Sequence, residues 1–201
     1  MRRGLIVLLV IGGLIAVLAI AGVSQYNNLV GLQEDVTSQW AEVENAYQRR
    51  ADLIPNLVAT VKGAAKFEQD TLRQVTEARA RVGQVTAQTG AGTPEDPQAL
   101  QRFAQAQDQL TSALSRLLVV VERYPELKAV QGFSDLMVAL EGSENRIAVT
   151  RGRYNDKARA FNATRRRVPA AWLISILGWD FPAKAYFQAQ AGAATAPKVE
   201  F

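Results

Sequence analysis

Histidine and cysteine are both missing from this chain of 201 residues. Without an imidazole or a thiol, the protein cannot form a Ser-His-Asp triad, a Cys-His nucleophile, a zinc finger or a histidine pH switch. The absence of cysteine also excludes a lipoprotein, in which lipid is attached to a cysteine. The reactive side chains that remain are carboxylates, lysine, tyrosine, serine and threonine, and none of these residue types alone indicates a catalytic site. We therefore expect no enzymatic activity, no cofactor and no bound metal.

Aromatic residues and prolines are scarce as well: aromatic side chains make up 7% of the chain, and it has 7 prolines. Both features favour helices over sheets. Apolar residues recur at steps of three and four over most of the chain, and no window alternates for long enough to predict a strand. The sequence therefore predicts an all-α protein.

The excess charge of one sign is small. The chain has 23 basic and 19 acidic residues, and two of the basic ones, Arg2 and Arg3, precede a long apolar run. The rest of the chain is nearly balanced in charge, whereas a nucleic-acid-binding domain needs a strongly basic surface. We therefore expect no nucleic-acid partner.

What the chain does have is an uncharged apolar run over residues 4–23. A helix of about 20 residues spans roughly 30 Å, which is the thickness of the hydrocarbon core of a bilayer. The run predicts a transmembrane anchor and a bilayer as partner. The residues predicted to lie in the membrane anchor include Gly4, Leu5, Leu9, Leu14, Leu18 and Val23.

The charges that flank this run predict its orientation. Arg2 and Arg3 precede it, and the next basic residue is Arg49, so the positive-inside rule places the N-terminus in the cytoplasm and the remaining chain outside the inner membrane. The alternative is a cleaved signal peptide, with small residues near position 20 at the cleavage site. A retained anchor is favoured, because the run is longer than the roughly 7–15 residues of a signal-peptide core.

The clearest helix outside the anchor is predicted between Leu100 and Tyr124, where apolar residues recur in a heptad stripe typical of a bundle. Thr93 or Asp96 can cap its start. We expect it to end at Tyr124, because the residue before a proline, here Pro125, disfavours helix.

Pro55 interrupts the helical pattern that follows the anchor. An interior proline costs a helix roughly 3 kcal/mol, so the favoured prediction is a break near residues 50–54, with Asp52 as N-cap and Pro55 in the first turn of the next helix. The alternative is a continuous kinked rod from the membrane to Gln88.

The last long helix is predicted over residues 133–166, and its inner stripe is partly charged. Because unpaired buried charges are costly, Glu144 and Arg151 should meet opposite charges, such as Arg79 or Glu68 on the second helix. We interpret these charges as fixing the register between helices.

Two aromatic–asparagine pairs, Tyr154-Asn155 and Phe161-Asn162, lie seven residues apart in this helix, so they share one face. We expect their aromatic rings to lie in the core. The two amides should cap or bridge helices.

Residues 165–179 combine the strongest basic cluster with the most apolar stretch outside the anchor. If four helices run up and down from the anchor, this segment returns to the lipid headgroups, and Trp172 and Trp179 share one helical face. The alternative is that the segment caps the end of the bundle as part of the core. The residues predicted to contact lipid or a partner are Arg165, Arg166, Arg167, Trp172, Leu173, Ile176 and Trp179.

A second candidate site is a polar patch at the membrane-distal end, formed by Arg49, Arg50, Asp52 and Asn56. These side chains can bind a ligand or satisfy a turn, and we favour the turn.

Several motifs occur together in order: YNNLV at residues 26–30, RRADLIPNLV at 49–58, ERYPELKA at 122–129, RGRYN at 151–155 and PKVEF at 197–201. Through them the chain resembles the LemA family from about residue 26 to residue 201. The resemblance implies an N-terminal membrane helix followed by an elongated antiparallel helical bundle in a bacterium.

These features predict a membrane-anchored, non-enzymatic scaffold or adaptor of the bacterial cell envelope, which self-associates or binds envelope proteins. The alternative is a periplasmic ligand-sensing bundle that signals through a membrane partner. The predicted divisions are a cytoplasmic N-terminus (1–3), a transmembrane helix (4–23), a four-helix-type bundle (24–167), an apolar interfacial or capping segment (168–187) and a C-terminal tail (188–201).

Overall fold

The computed structural model describes residues 2–62, 69–89, 95–128 and 130–188, and all regular structure in these ranges is helical. The prediction of an all-α protein is confirmed. Residues 178–188 follow the last helix without regular structure. The helices are α1 (Arg2–Lys62), α2 (Gln69–Thr89), α3 (Pro97–Val121), α4 (Pro125–Lys128), α5 (Gln131–Arg166) and α6 (Ala170–Leu177).

The first part of α1 is apolar and exposed. Between Leu5 and Val23, the large apolar side chains that the structure describes are between 48% (Ile11) and 70% (Ile20) exposed, and the most apolar stretch of the helix has a mean hydropathy of 3.0. Among the described helices it is the one long and apolar enough to cross a membrane. The predicted long apolar N-terminal helix is therefore present, and the anchor positions between Gly4 and Val23 all lie on it with their surfaces exposed.

α1 continues through Pro55, so the favoured prediction of a break near residues 50–54, with Asp52 as N-cap, is wrong. Pro55 has no N–H, and it therefore leaves the carbonyl of Ala51, four residues earlier, without its helical donor. Arg79 of α2 supplies a donor instead, with its Nε 3.2 Å from the Ala51 oxygen. A contact from a neighbouring helix thus replaces the hydrogen bond that the proline removes.

The alternative prediction of a continuous rod is correct through Pro55 and up to Lys62. Residues 63–68, between α1 and α2, lie outside the described ranges, and so do residues 189–201 of the predicted tail.

α3 begins as predicted. The carboxylate of Asp96 accepts hydrogen bonds from the N–H groups of Gln98 (2.9 Å) and Ala99 (3.2 Å), and Pro97 occupies the first turn. This arrangement satisfies two of the donors that a helix start leaves unpaired. Thr93, the other candidate cap, lies outside the described residues. The helix ends at Val121, three residues before the predicted end.

α1 and α5 pack side by side, and α2 packs along α3. Three ion pairs join α1 to α5, and successively later residues of α1 meet successively earlier residues of α5. The pairs are Asp35–Lys157 at 2.7 Å, Glu42–Arg146 at 3.4 Å and Arg50–Glu144 at 2.6 Å.

Buried apolar side chains form two clusters, which we name by their distance from the apolar run of α1. The proximal core includes Leu29, Val36, Trp40, Val43, Tyr47, Phe103, Tyr154, Phe161, Phe181 and Phe187. The distal core includes Ile54, Leu57, Val61, Leu72, Val75, Leu110, Leu114, Leu117, Phe133 and Leu140.

Candidate functional site

A buried arginine lies at the centre of the helices. The side chain of Arg50 is 1% exposed. Its Nη1 donates hydrogen bonds to Glu144 of α5 (2.6 Å) and to Thr111 of α3 (2.8 Å), and its Nη2 donates to the side chain of Gln107 on α3. One side chain of α1 therefore joins three helices, and we call these four residues the Arg50 layer.

The Arg50 layer separates the two apolar cores. Tyr47, one turn before Arg50, belongs to the proximal core, and its ring lies 5.3 Å from the guanidinium carbon. Ile54, one turn after Arg50, belongs to the distal core. The layer thus interrupts an otherwise apolar stripe on the inner face of α1.

The side chains of the Arg50 layer are suited to holding helices together. The guanidinium of Arg50 offers hydrogen-bond donors and no acceptor. A buried cation needs acceptors at fixed positions. Gln107, Thr111 and Glu144 accept from the two terminal nitrogens of Arg50 in one register of the helices, while its buried Nε has no acceptor among the described residues. The layer can therefore hold α1, α3 and α5 in register, as a buried polar group does in a coiled coil.

The predicted charges of the inner stripe are partly matched. Glu144 does meet an opposite charge, but its partner is Arg50 of α1 and not Arg79, which donates to the Ala51 carbonyl. Arg151 lies with its guanidinium carbon 4.6 Å from the centre of the Phe187 ring. The prediction missed Arg50 because it assigned that residue to a surface patch.

The structure does not bring the predicted polar patch together. Arg49, Asp52 and Asn56 are exposed on α1, and Asp52 accepts a hydrogen bond from the side chain of Gln48 at 2.7 Å. Arg50 points into the core, because consecutive residues of a helix are about 100° apart around its axis. The predicted turn at these residues is also absent, since all four belong to α1.

Residues 178–188, which we call the strap, run along α5 and are fastened to it by two asparagines. The side chain of Asn162 both donates to the carbonyl of Lys184 (2.8 Å) and accepts from its N–H (2.9 Å). Asn155 makes the same two contacts with Phe187, both at 2.9 Å. Seven helical residues cover about 10.5 Å and three extended residues about 10 Å, so the two spacings match.

The prediction that the two asparagines bridge parts of the fold is therefore right, but the prediction that their partner is another helix is wrong. Asn155 and Asn162 bridge α5 to an extended segment, and each side chain pairs with a backbone as a neighbouring strand does. Their aromatic neighbours Tyr154 and Phe161 are fully buried, as expected.

Two further contacts hold the strap. The hydroxyl of Tyr154 donates to the carbonyl of Ala185 at 3.0 Å, and burial, with a smaller contribution from Tyr186, raises the pKa of Tyr154. The hydroxyl therefore keeps its proton and remains a donor. The Nζ of Lys184, whose side chain is 1% exposed, lies 2.6 Å from a carboxylate oxygen of Glu95, just before α3.

The structure divides the predicted lipid or partner segment. α6 ends at Leu177, and Gly178 follows with a φ of 64°, the left-handed conformation that terminates many helices. Trp179 therefore lies beyond the helix, and the prediction that Trp172 and Trp179 share a helical face is wrong. Trp179 packs edge-on against Tyr26 at 5.0 Å, whereas Trp172 is 63% exposed.

The other residues of this segment are placed as follows. The Nε of Arg165 donates to a strap carbonyl, whereas Arg166 and Arg167 are exposed. Leu173 is half-buried, and Ile176 is 78% exposed.

A groove of about 380 Å³ opens between α3 and α5 beside the Arg50 layer. Most of its wall is apolar, but one end is formed by Thr111 and Glu144, two members of that layer. Across the described ranges, no group of three or more acidic residues lies close enough together to hold a metal ion. The apolar side chains of the groove include Leu57, Leu114, Leu118, Met137, Val138 and Leu140.

Comparison with known proteins gives a consistent result. A model of the LemA family matches residues 39–201, a range that includes the Arg50 layer, α6 and the strap. Magnetosome protein MamQ 2 of Paramagnetospirillum magneticum is 28% identical over 182 residues, covering 82% of this chain and 65% of the relative. Magnetosome protein MamQ of Magnetospirillum gryphiswaldense is 27% identical over 169 residues, covering 77% and 62%. The chain thus spans less than two thirds of the length of these curated relatives.

Proposed function

The chain belongs to the LemA family, and we propose that it acts as a membrane-anchored, non-enzymatic scaffold or adaptor of the bacterial cell envelope. In this proposal residues 4–23 cross the inner membrane with the N-terminus in the cytoplasm. The long helices form an elongated antiparallel bundle outside the cytoplasm, and the bundle binds copies of itself or other envelope proteins.

The observation that carries this proposal is the continuity of α1. The helix extends without a break from the apolar run to Lys62, about 58 Å beyond Val23 at 1.5 Å per residue. Arg50 on the same helix joins α3 and α5. In this proposal the anchor and one helix of the bundle are the same continuous helix, which suits a scaffold that presents a surface at a fixed height above a membrane.

The buried polar groups support a non-enzymatic role. Buried Arg50 and Asn162 and half-buried Asn155 each join one part of the fold to another, and buried Lys184 is paired with Glu95. We therefore propose that the polar interior stabilises the shape and that the outer surface carries the function.

The relatives support a structural role in a bacterium. Those described above carry the name magnetosome protein, and this name refers to a cellular structure. We propose that this chain likewise contributes to organising a membrane structure, and that its partners are proteins and lipids.

A ligand-sensing role is the second candidate, and the groove beside the Arg50 layer favours it. An apolar ligand of the size of the groove would lie against Met137 and Leu140 and reach Glu144. Because Glu144 holds Arg50, such a ligand could change the packing of three helices at once.

One purification distinguishes the two candidates. The full chain is extracted in mild detergent, and the mass of the particle and the identity of the bound molecules are determined by native mass spectrometry. A particle that contains several copies, or a second protein, supports the scaffold. A single copy that carries a small molecule contradicts the scaffold and supports the sensor.

Matched variants show whether such a small molecule occupies the groove. Met137→Trp narrows the groove, and Val119→Trp places the same ring on an exposed position of α3. Loss of the small molecule only in Met137→Trp supports sensing. Retention in both variants places the small molecule elsewhere.

A further inference from the structure

α6 lies beside the end of the apolar run of α1. Trp179 and Phe181, which follow α6, pack edge-on against the ring of Tyr26 at 5.0 and 5.5 Å between ring centres. Tyr26 lies three residues beyond Val23, which corresponds to about 4.5 Å along the helix. The C-terminal end of α6 is therefore held close to the point where the apolar run ends.

The outer face of α6 is apolar. Ala170 is 1% exposed and faces the proximal core, whereas the opposite face carries large exposed side chains. A cluster of this kind marks an interaction surface, because exposed apolar residues on soluble surfaces are normally scattered. The exposed apolar side chains in and next to α6 are Val168 (60%), Trp172 (63%), Ile176 (78%) and Leu177 (55%).

Other exposed apolar side chains of the bundle do not cluster in this way. Val119, Val130, Val138, Val149 and Tyr186 are exposed at separate positions along the described ranges. The outer face of α6 is therefore a distinct feature of the end of the bundle that adjoins the apolar run.

Basic side chains flank this apolar face. Arg166 and Arg167 are exposed immediately before Val168, and Arg165 is fixed by its hydrogen bond to the strap. Guanidinium groups are attracted to anionic lipid headgroups, and a helix with arginines beside a tryptophan-containing apolar face is typical of an element that lies in the membrane interface.

We propose that α6 and the arginines before it bind an anionic bilayer surface, with Trp172 and Ile176 inserted between the headgroups. The inference rests on the proposed function, since it requires residues 4–23 to cross that same bilayer. A bilayer fits this face better than a second copy of the chain does, because the face adjoins the exposed apolar surface of α1 and the two would enter one lipid phase.

This contact gives the bundle a second attachment point beside the anchor. A single helix crossing a bilayer leaves tilt and rotation to be set by other contacts. With α6 at the interface, the rotation of the bundle about α1 is restricted, and the same side of the bundle always faces the membrane.

A depth measurement tests the proposal on the full chain. Because the chain has no cysteine, Ile176→Cys carries a thiol-reactive fluorophore at a single position. Val119→Cys is the matched control, since Val119 is also an exposed apolar residue (69%) and lies on α3 near the distal core. Each labelled protein is reconstituted into vesicles of phosphatidylcholine and phosphatidylglycerol that contain nitroxide-labelled lipid.

We expect the nitroxide to quench the fluorophore at position 176 several-fold more than the fluorophore at position 119. Equal, weak quenching at both positions in a protein that stays with the vesicles would overturn the inference and leave the anchor intact. A protein that separates from the vesicles would overturn the proposed function itself. Disulfide formation in unlabelled Ile176→Cys protein, together with weak quenching in the labelled protein, would assign the face to a second copy and also overturn the inference.

A charge variant tests the anionic part of the proposal. Arg166→Gln combined with Arg167→Gln should lower the quenching at position 176 in vesicles with phosphatidylglycerol, and should have little effect in vesicles of phosphatidylcholine alone. Unchanged quenching in the anionic vesicles would show that these arginines do not recognise the headgroups.

Discussion

The proximal and distal cores of this protein are packed by different means. The proximal core is rich in aromatic rings, which meet mostly edge-on or at a tilt with centres 5–6 Å apart, and it is closed by the strap. The distal core is mainly aliphatic, and Phe133 is its one buried ring among the described residues. A groove opens into its side. The two cores meet at the Arg50 layer.

The difference in packing between the two cores shows which core permits fewer alternative arrangements of its side chains. Aromatic pairs prefer particular angles, and the strap is fixed by hydrogen bonds of defined direction, so the proximal core permits few alternative packings. Aliphatic side chains can exchange positions with a smaller loss of stability. The packing of the proximal core, next to the apolar run of α1, is thus the more closely constrained of the two.

We expect the greatest loss of stability from a substitution in the Arg50 layer, which lies between the two cores. Arg50→Leu removes the cation but leaves the partners of the guanidinium. Breaking a buried pair costs about 3–5 kcal/mol, and because the Glu144 side chain is 38% exposed and can regain water, we expect the lower end of this range. Chemical denaturation of the full chain in detergent measures the loss.

Arg49→Leu is the matched control for that variant, since Arg49 is the exposed neighbour on the same helix. It should change the unfolding free energy by less than about 0.5 kcal/mol. Equal losses in the two variants would mean that the layer does not join the two cores.

A smaller effect is expected in the strap, which only the proximal core has in the described ranges. Asn162→Ala leaves the buried N–H and carbonyl of Lys184 unpaired, and we expect the unfolding free energy to fall by about 2 kcal/mol. The loss is no larger because the strap can detach and expose these groups to water. Hydrogen exchange should become faster in residues 179–188 and stay unchanged in the distal core. Asn56→Ala, at an exposed position of α1, is the control, and unchanged protection of the strap in Asn162→Ala would contradict its fastening by this residue.

We expect one substitution beside the distal core, Pro55→Ala, to make the protein more stable. Pro55→Ala restores an N–H that can bond to the Ala51 carbonyl, so the unfolding free energy should rise by about 1 kcal/mol, less than the full cost of an interior proline because Arg79 already donates to that oxygen. Arg79→Met should destabilise the original protein more than the Pro55→Ala variant. Equal effects of Arg79→Met in the two backgrounds would show that the Arg79 contact does not compensate for the proline.

The smallest effect is a pH dependence confined to the proximal core. Burial raises the pKa values of Tyr47 and Tyr154 above the ordinary value of 10.0, so the folded state favours their neutral forms. Their contribution to stability is complete below pH 10 and is lost as the pH rises through the raised values. Hydrogen exchange at rising alkaline pH should show the proximal core opening first, and Tyr154→Phe should weaken that trend. Earlier opening of the distal core would contradict it.

Much of the helical fold is predictable from the sequence because helical periodicity is a local signal. The stripe from Leu100 onwards and the cap at Asp96 locate α3, and the uncharged run locates the first part of α1. The continuity of α1 through Pro55 is not predictable in this way, because the lost hydrogen bond is replaced by Arg79, which lies 24 residues further along the chain. Local rules contain no information about such a partner.

The strap and the Arg50 layer show what periodicity alone misses. The strap has no helical period, and its signal is the spacing of Asn155 and Asn162, which becomes meaningful only once an extended partner is considered. Arg50 occupies an inner position of the stripe that runs through Tyr47 and Ile54, and that position could have identified it as buried. Gly178 likewise signals the end of α6 before Trp179.

The proposed function requires α1 to be a retained membrane anchor that continues into the helices packed against it. The most direct test is to wash the membrane fraction of cells that express the chain at alkaline pH and to determine the intact mass of the protein that remains. We expect the protein to stay in the washed membranes with residues 4–23 still attached. A protein that is released by the wash, with a mass that shows the loss of those residues, would contradict it.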